Sequence, residues 1–292
     1  MIHEASQRSA FQSSDYVKSV VQRELNPRVF DWSELRPRVA IMFEGSIELT
    51  LEWEIRLSLL SGRGFGNEMW NQWMSENTTS NADRDRCSLS YGSLSGTAVC
   101  ILRDYFRLTD GAPCPALRNQ VRLQVETLLS LGVEALIVVS KVEPLSHAHF
   151  LRDEVVVIDR FSTLFAPDMP LYEGEYRKPD NALQQHCHRA RSAVQRITAR
   201  RRRMYGYAMI RGTLGGCDDA LLGQSRASVV GMSMLPEAHI AALYGIPMIG
   251  LGFVTNTADE IHSHEENQRR AKELSGDLGK VLTALVEAVT KG

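Results

Sequence analysis

The chain has 292 residues, a formal net charge of −2 and an apolar content of 43%. A chain of this length can bury a sizeable core, and its near-neutral charge indicates neither nucleic acid nor a membrane surface as a partner. No apolar run approaches the ~20 residues of a transmembrane helix. Five scattered cysteines are typical of free thiols in a reducing compartment. We expect a cytoplasmic protein; the alternative is a mitochondrial one, which the acidic Glu4 and Asp15 near the N-terminus disfavour.

The predicted elements begin after a polar N-terminal segment. Residues 1–14 are expected to be flexible, and residues 15–292 to form one domain. An apolar stripe after Asp15 predicts a helix that Pro27 ends.

Turn and apolar patterns define most of the remaining elements. Residues 89–102 predict a β-hairpin with Ser95 and Gly96 in its turn. The later patterns predict, in order, an amphipathic helix, a buried strand, a long helix, a second strand and a last amphipathic helix, at residues 121–131, 134–139, 182–201, 205–210 and 274–289.

Two features of the long helix could bind a ligand. The run Arg200, Arg201, Arg202 and Arg203 is by default a solvated surface, and the alternative is contact with an anionic partner such as RNA. The neighbouring residues 186–188 include two histidines and a cysteine, which would point in different directions on a helix. We therefore expect no metal site there.

Residues 228–256 carry the most specific pattern in the chain. A short strand ends in the turn 231–233, and Pro236 suits the first turn of a helix, where a missing N–H costs nothing. Gly245 ends that helix, and a second apolar strand runs to Thr255-Asn256. This βαβ unit places polar residues at the carboxyl ends of its strands, where open α/β sheets bind ligands.

The motif Gly231-Met232-Ser233-Met234-Leu235-Pro236-Glu237, with Thr255-Asn256 after the second strand, closely resembles the purine nucleoside phosphorylase family. The resemblance is to its trimeric branch, which includes the methylthioadenosine phosphorylases. Residues 36–46 resemble the family's first strand and the phosphate loop after it, and residues 152–160 resemble a later strand of the family. The resemblance runs from Arg38 to the C-terminus and is weakest over residues 51–85. It implies an α/β protein with a single-domain nucleoside-phosphorylase-like fold, a central mixed β-sheet flanked by helices. It also implies an oligomer with no cofactor and with phosphate as co-substrate.

Several family positions keep a suitable residue. By this resemblance Met232 and Ser233 would contact the sugar and phosphate, Asn256 the base, and His264 the 5′ end of the sugar.

The anion site has two further candidates. Ser46 lies in the segment that resembles the family's phosphate loop, although the carboxylate of Glu44 in the same loop would repel an anion. Arg107 could bind a phosphate through two N–H groups; its alternative is a salt bridge to Asp104 or Asp110.

Other family positions have changed. Tyr105 stands where the family has a phosphate-binding arginine, and Arg107 where it has a histidine. Gly215 and Gly216 replace the phenylalanine that stacks on the purine and the glutamate that binds it. Asp218 could replace that glutamate only if its loop shifts, and otherwise it is expected to N-cap a helix.

Bulky residues follow the strand 134–139. The family has small residues there, close to the base and sugar, whereas this chain has Lys141, Val142 and Glu143. We expect these side chains to obstruct a ligand.

These observations favour a purine nucleoside phosphorylase homologue with a degenerate catalytic site, acting as a structural or binding subunit of a larger assembly. The alternative is an active, divergent phosphorylase or glycosyltransferase that cleaves the N-glycosidic bond with phosphate. It would use Arg107 and Ser46 on the anion and Asp218 on the base. A third hypothesis is association with nucleic acid through residues 200–203. Whether the chain is an enzyme stays open at this point.

Overall fold

The computed structural model describes residues 36–43, 47–57, 88–105, 107, 115–148, 150, 154–162, 204–209, 216–257 and 263–290. Several sequence-based predictions fall outside these residues: the N-terminal segment 1–14, the helix after Asp15, and the long helix 182–201.

The described residues form nine strands and five helices. The strands are β1 (Val39–Phe43), β2 (Trp53–Leu57), β3 (Ser88–Leu94), β4 (Thr97–Arg103), β5 (Ala135–Pro144), β6 (Val155–Ser162), β7 (Met204–Met209), β8 (Ala227–Gly231) and β9 (Met248–Val254). The helices are α1 (Pro115–Ser130), α2 (Gly216–Gln224), α3 (Leu235–Leu243), α4 (His264–Glu273) and α5 (Ser275–Thr290). The predicted mixed sheet with flanking helices is confirmed.

One part of the mixed sheet closes on itself. The strand order is β2-β3-β4-β1-β5-β8-β7-β6-β9, and β9 pairs in turn with β5. The strands β5, β8, β7, β6 and β9 therefore form a ring, from which β1, β4, β3 and β2 extend as an open sheet. β1 is fully buried and lies parallel to both β4 and β5, as its unbroken apolar sequence requires.

Glycines in β9 make room for side chains of neighbouring elements. A Cβ atom at Gly252 would lie 2.7 Å from Val142 Cγ1 and 2.7 Å from Val156 Cγ2. A Cβ atom at Gly250 would lie 2.6 Å from the sulfur of Met234. Real Cβ atoms essentially never come this close to other atoms, so a larger residue at either position would force its neighbours to move.

The hairpin prediction is confirmed in detail. β3 and β4 are antiparallel, and Ser95 and Gly96 between them have φ angles of 54° and 71°. Two consecutive positive φ angles are the backbone requirement of a two-residue turn that matches the twist of the strands.

Four predictions about elements need correction. The βαβ unit expected over residues 228–256 does not have parallel strands, because β8 runs antiparallel to β5 whereas β9 runs parallel to it. β2 was not expected, and it forms because Trp53–Leu57 pairs with β3. β5 continues past residue 139 to Pro144, because Glu143 and Pro144 pair with Val230 and Val229 of β8. α2 begins at Gly216, so Asp218 lies in its first turn and is not its N-cap.

Within the described part of the chain, no helix is long and apolar enough to cross a membrane.

Candidate functional site

The ends of β5, β8 and β9 lie next to one another and bring several of the predicted site residues together. β9 runs parallel to β5 until Val254 lies opposite Val142, so Thr255 and Asn256 continue beside the end of β5. β8 runs antiparallel to the same end of β5, with Val230 opposite Glu143. The turn after β8 and the residues after β9 therefore both lie next to residues 140–143.

The first contact at this site joins two buried hydroxyl groups. Ser233 Oγ donates a hydrogen bond to Ser140 Oγ over 2.9 Å, and Ser140 Oγ donates to the carbonyl oxygen of Lys141 over 3.0 Å. Ser233 is 1% exposed and Ser140 is fully buried. Ser233 thus ties the turn after β8 to β5. Sequence reasoning missed Ser140, whose only signal was a single hydroxyl in an apolar strand.

Met234 shapes the turn that carries Met232 and Ser233. It has a φ angle of 75° at the N-cap position of α3, where its side chain makes no capping hydrogen bond. A left-handed conformation in a residue other than glycine costs on the order of 1–3 kcal/mol. Met234 is fully buried, and its sulfur packs over Gly250. We infer that this packing maintains the turn.

Asn256 is the centre of the second set of contacts. Its Oδ1 atom accepts a hydrogen bond from Thr255 Oγ1 over 3.0 Å. Its Nδ2 atom donates to Glu143 Oε1 and to the carbonyl oxygen of Thr257, each over 3.4 Å. Asn256 is only 2% exposed, whereas Glu143 is exposed. The amide predicted to contact a base therefore lies beneath the Glu143 side chain.

Arg270 connects this region to helix α4. Its Nη1 atom donates to the carbonyl oxygen of Thr255 over 2.6 Å, and its Nη2 atom forms an ion pair with Glu266 one helical turn earlier. The hydroxyl of Ser263 caps the same helix by accepting a hydrogen bond from the backbone N–H of Glu266. Helix α4, whose first residue is His264, is thereby held against the end of β9.

The structure brings together only some of the predicted site residues. It joins Ser233 to β5 and Asn256 to Glu143, and Met232 lies half-buried in the turn beside them. The backbones of His264 and Asp218 are placed at the starts of α4 and α2, but their side chains lie outside the described part.

Of the candidate anion-binding residues, the structure describes Arg107. Arg107 is half-buried on the segment after β4, with interaction partners of its own. Ser46 and Arg200–Arg203 lie outside the described residues, so the anion loop and the nucleic-acid surface stay predictions.

The bulky residues of β5 face different surroundings. Val142 is 2% exposed and packs against Gly252 of β9. Lys141 is half-buried, and Glu143 lies over Asn256. The expected obstruction of a ligand by Glu143 and Lys141 stays a prediction, whereas Val142 serves the packing of the ring.

The described residues contain no group of three or more histidine, cysteine, aspartate or glutamate side chains that could hold a metal ion. The polar groups at the strand ends are hydroxyls, an amide and a carboxylate. Such groups can position a ligand through hydrogen bonds.

Comparison with known proteins supports the family resemblance. The model of the phosphorylase superfamily matches residues 71–287. A search of curated proteins finds no significant match.

Solved structures show the same fold. A Schistosoma purine nucleoside phosphorylase in complex with guanosine is 18% identical, with a TM-score of 0.71 over 94% of this chain and 96% of that one. The Schistosoma mansoni enzyme in complex with inosine is 19% identical, with a TM-score of 0.72 over 97% and 98%. Isoform 2 from the same organism, in complex with cytosine and ribose-1-phosphate, is 15% identical, with a TM-score of 0.71 over 93% and 95%. The chain therefore belongs to the phosphorylase superfamily, and its fold is similar to that of purine nucleoside phosphorylases.

Proposed function

We propose that this chain is a purine nucleoside phosphorylase homologue with a degenerate catalytic site, which acts as a binding or structural subunit of a larger assembly. The solved relatives were crystallised with nucleosides, bases and ribose-1-phosphate. The proposal keeps the ends of β5, β8 and β9 as a place for a nucleoside-like ligand, with Glu143 obstructing the phosphate and not the nucleoside. It does not keep the phosphorolysis of the solved relatives.

The observation that carries the proposal is the contact between Glu143 and Asn256. An exposed carboxylate lies on the amide that the resemblance assigns to the base, at the strand end beside the turn of Ser233. Phosphorolysis requires a phosphate dianion to approach the same pocket. Two like charges close together repel, so Glu143 opposes binding of the co-substrate.

Tyr105 and Gly216 support the same conclusion. Tyr105, at the family's arginine position, is 3% exposed and belongs to the hydrophobic core, so it offers no cation to phosphate. Gly216, at the glutamate position, is the first residue of α2 and has no side chain to stabilise a departing base. Loss of one preorganised polar contact typically lowers kcat by ~10²–10³, and at least two are missing here.

The test is an assay for phosphate-dependent release of the free base from inosine, guanosine and methylthioadenosine. We expect no release above the rate without enzyme. Phosphate-dependent release that Asp218→Ala abolishes would instead establish the divergent enzyme with Arg107, Ser46 and Asp218 in the active site.

The assembly part of the proposal is supported by an exposed aromatic residue. Trp53 on the edge strand β2 is 46% exposed and packs edge-to-face on Tyr91, with 5.3 Å between the ring centroids. Aromatic residues are enriched at protein interfaces. Light scattering on the purified chain should give a mass above that of one chain. A monomeric mass would show that the chain does not assemble with itself, so that any larger assembly would require other proteins.

A further inference from the structure

We propose that Glu143, and not Asn256, is the group that meets a ligand in this pocket, and that it selects ligands with a positive charge or adjacent N–H donors. Asn256 then serves as a positioning residue for Glu143. This inference rests on the proposed function, because it takes the pocket at the strand ends as a nucleoside-binding site.

The hydrogen bonds of Asn256 account for both of its donors. A side-chain amide has two N–H donors and one carbonyl acceptor. The donors of Asn256 face Glu143 Oε1 and the Thr257 carbonyl oxygen, and its acceptor receives the Thr255 hydroxyl. A ligand acceptor could reach this amide only by displacing Glu143 or the Thr257 carbonyl oxygen.

The neighbours of Asn256 fix the orientation of its amide. A flipped amide would place Oδ1 against the Glu143 carboxylate, and two acceptors would then face each other without a proton between them. Thr255, which donates to Oδ1, is itself buried, and its carbonyl oxygen is held by Arg270. The donor side of Asn256 is therefore directed at Glu143.

Glu143 presents the opposite chemistry to the pocket. A carboxylate only accepts hydrogen bonds and carries a negative charge. Within the described residues Glu143 accepts from Asn256 and forms no ion pair. Lys141 lies on the same side of β5, is half-buried, and has other partners. The exposed surface above Asn256 is thus an acceptor with a negative charge, which attracts N–H donors and cations and repels carbonyl and phosphate oxygens.

Three nucleosides of similar size separate the effect of paired N–H donors from the effect of positive charge. Guanosine presents two adjacent N–H donors, on its ring nitrogen and its 2-amino group, whereas inosine lacks the amino group. At mildly acidic pH, 7-methylguanosine is a cation that has the same donor edge as guanosine and adds a positive charge to the ring. Pairs of N–H groups bind a carboxylate through two parallel hydrogen bonds, and charge strengthens them.

The experiment is calorimetric titration of the full chain with each nucleoside at mildly acidic pH in the absence of phosphate. We expect 7-methylguanosine to bind more tightly than guanosine, and guanosine more tightly than inosine, with a total range of at least about tenfold in Kd. In Glu143→Gln, which keeps the shape and removes the charge, this range should shrink to about twofold. Glu134→Gln is the matched control, because Glu134 is an exposed residue just before β5 that pairs with Arg38, and its range should be unchanged.

Each other outcome overturns the inference. An undiminished range in Glu143→Gln would show that another group selects the ligand, while binding itself would still support the proposed function. If only the Glu143→Gln variant binds nucleosides, Glu143 closes the pocket and does not read the ligand. If neither protein binds any of the three, the binding role in the proposed function fails as well.

Discussion

Arg270, in the second turn of helix α4, donates a hydrogen bond from Nη1 to the carbonyl oxygen of Thr255 over 2.6 Å. The side chain of Arg270 is 9% exposed, and its other terminal nitrogen pairs with Glu266. A buried guanidinium with a backbone partner and an ion-pair partner stabilises the position of both elements. Contacts with helix α4 and with strand β5 therefore both fix the position of the residues that follow β9.

We expect Arg270→Ala to lower the free energy of unfolding by about 2–3 kcal/mol, because it leaves a buried carbonyl oxygen and Glu266 without their partner. The neighbouring Arg269 is the control. Its side chain is 60% exposed and pairs with an equally exposed Glu273, so Arg269→Ala should cost at most about 0.5 kcal/mol. Urea unfolding of both variants measures the difference. Equal losses would mean that the Arg270 contact is no stronger than a surface ion pair.

Two glycine substitutions should change stability in opposite directions. Gly252→Ala places a methyl group 2.7 Å from side-chain atoms of Val142 and Val156, and this overpacking should cost about 1–3 kcal/mol. Gly279→Ala in α5 places it at an ordinary contact distance of 3.7 Å from Leu49 Cδ1 and should stabilise the chain by about 0.5–1 kcal/mol. Thermal unfolding measures both changes. A neutral Gly252→Ala would show that the ring can expand at β9.

Restoring one missing catalytic group should not restore phosphorolysis. Gly216→Glu supplies a carboxylate for the base, but the phosphate would still lack its arginine and would still meet Glu143. Tyr105→Arg with Arg107→His supplies groups for phosphate, but the base would still be unassisted. Both variants should remain inactive in an assay of base release.

The second of these variants needs a check on folding. Tyr105 is 3% exposed in the core, so an arginine there should lower the melting temperature even if the chain still folds. Activity in either single restoration would show that the remaining sites are more complete than the described contacts indicate.

Stability should fall at alkaline pH because of Cys100. Burial raises the pKa of the Cys100 thiol above its usual range, so the folded chain keeps this proton when the unfolded chain loses it. The free energy of unfolding is unaffected by ionisation of this thiol below its unfolded pKa of about 8.5. As the pH rises further, the free energy of unfolding falls by up to ~1.4 kcal/mol per pH unit. Burial also raises the pKa of the Tyr91 hydroxyl, which acts on stability in the same direction.

The measurement is the free energy of unfolding in urea between about pH 8 and about pH 11. Cys100→Ala should be less stable at neutral pH because it leaves a small cavity, but its stability should decline less steeply with pH. Parallel pH profiles for the two proteins would assign the alkaline loss to other groups.

Local patterns in the sequence predicted much of this fold. The turn at Ser95 and Gly96, the start of α3 near Pro236 and the strand at residues 248–254 were all predicted from neighbouring residues. These features depend on turn geometry, capping and periodicity, which act over a few residues. The nucleoside phosphorylase motif also lies within three consecutive elements, β8, α3 and β9. That is why the family could be recognised from residues 231–256.

The contacts that define the site were decided only by the tertiary structure. Glu143 and Asn256 are 113 residues apart in the chain, and Ser140 and Ser233 are 93 apart. No local pattern predicts that β5 continues to Pro144, because its last residues pair with β8 from a distant part of the chain. The sequence alone thus indicated that Glu143 is a large residue at a position where the family has a small one. Folding decided that this carboxylate lies on Asn256, because closing the ring brings the ends of three separate strands to the same place.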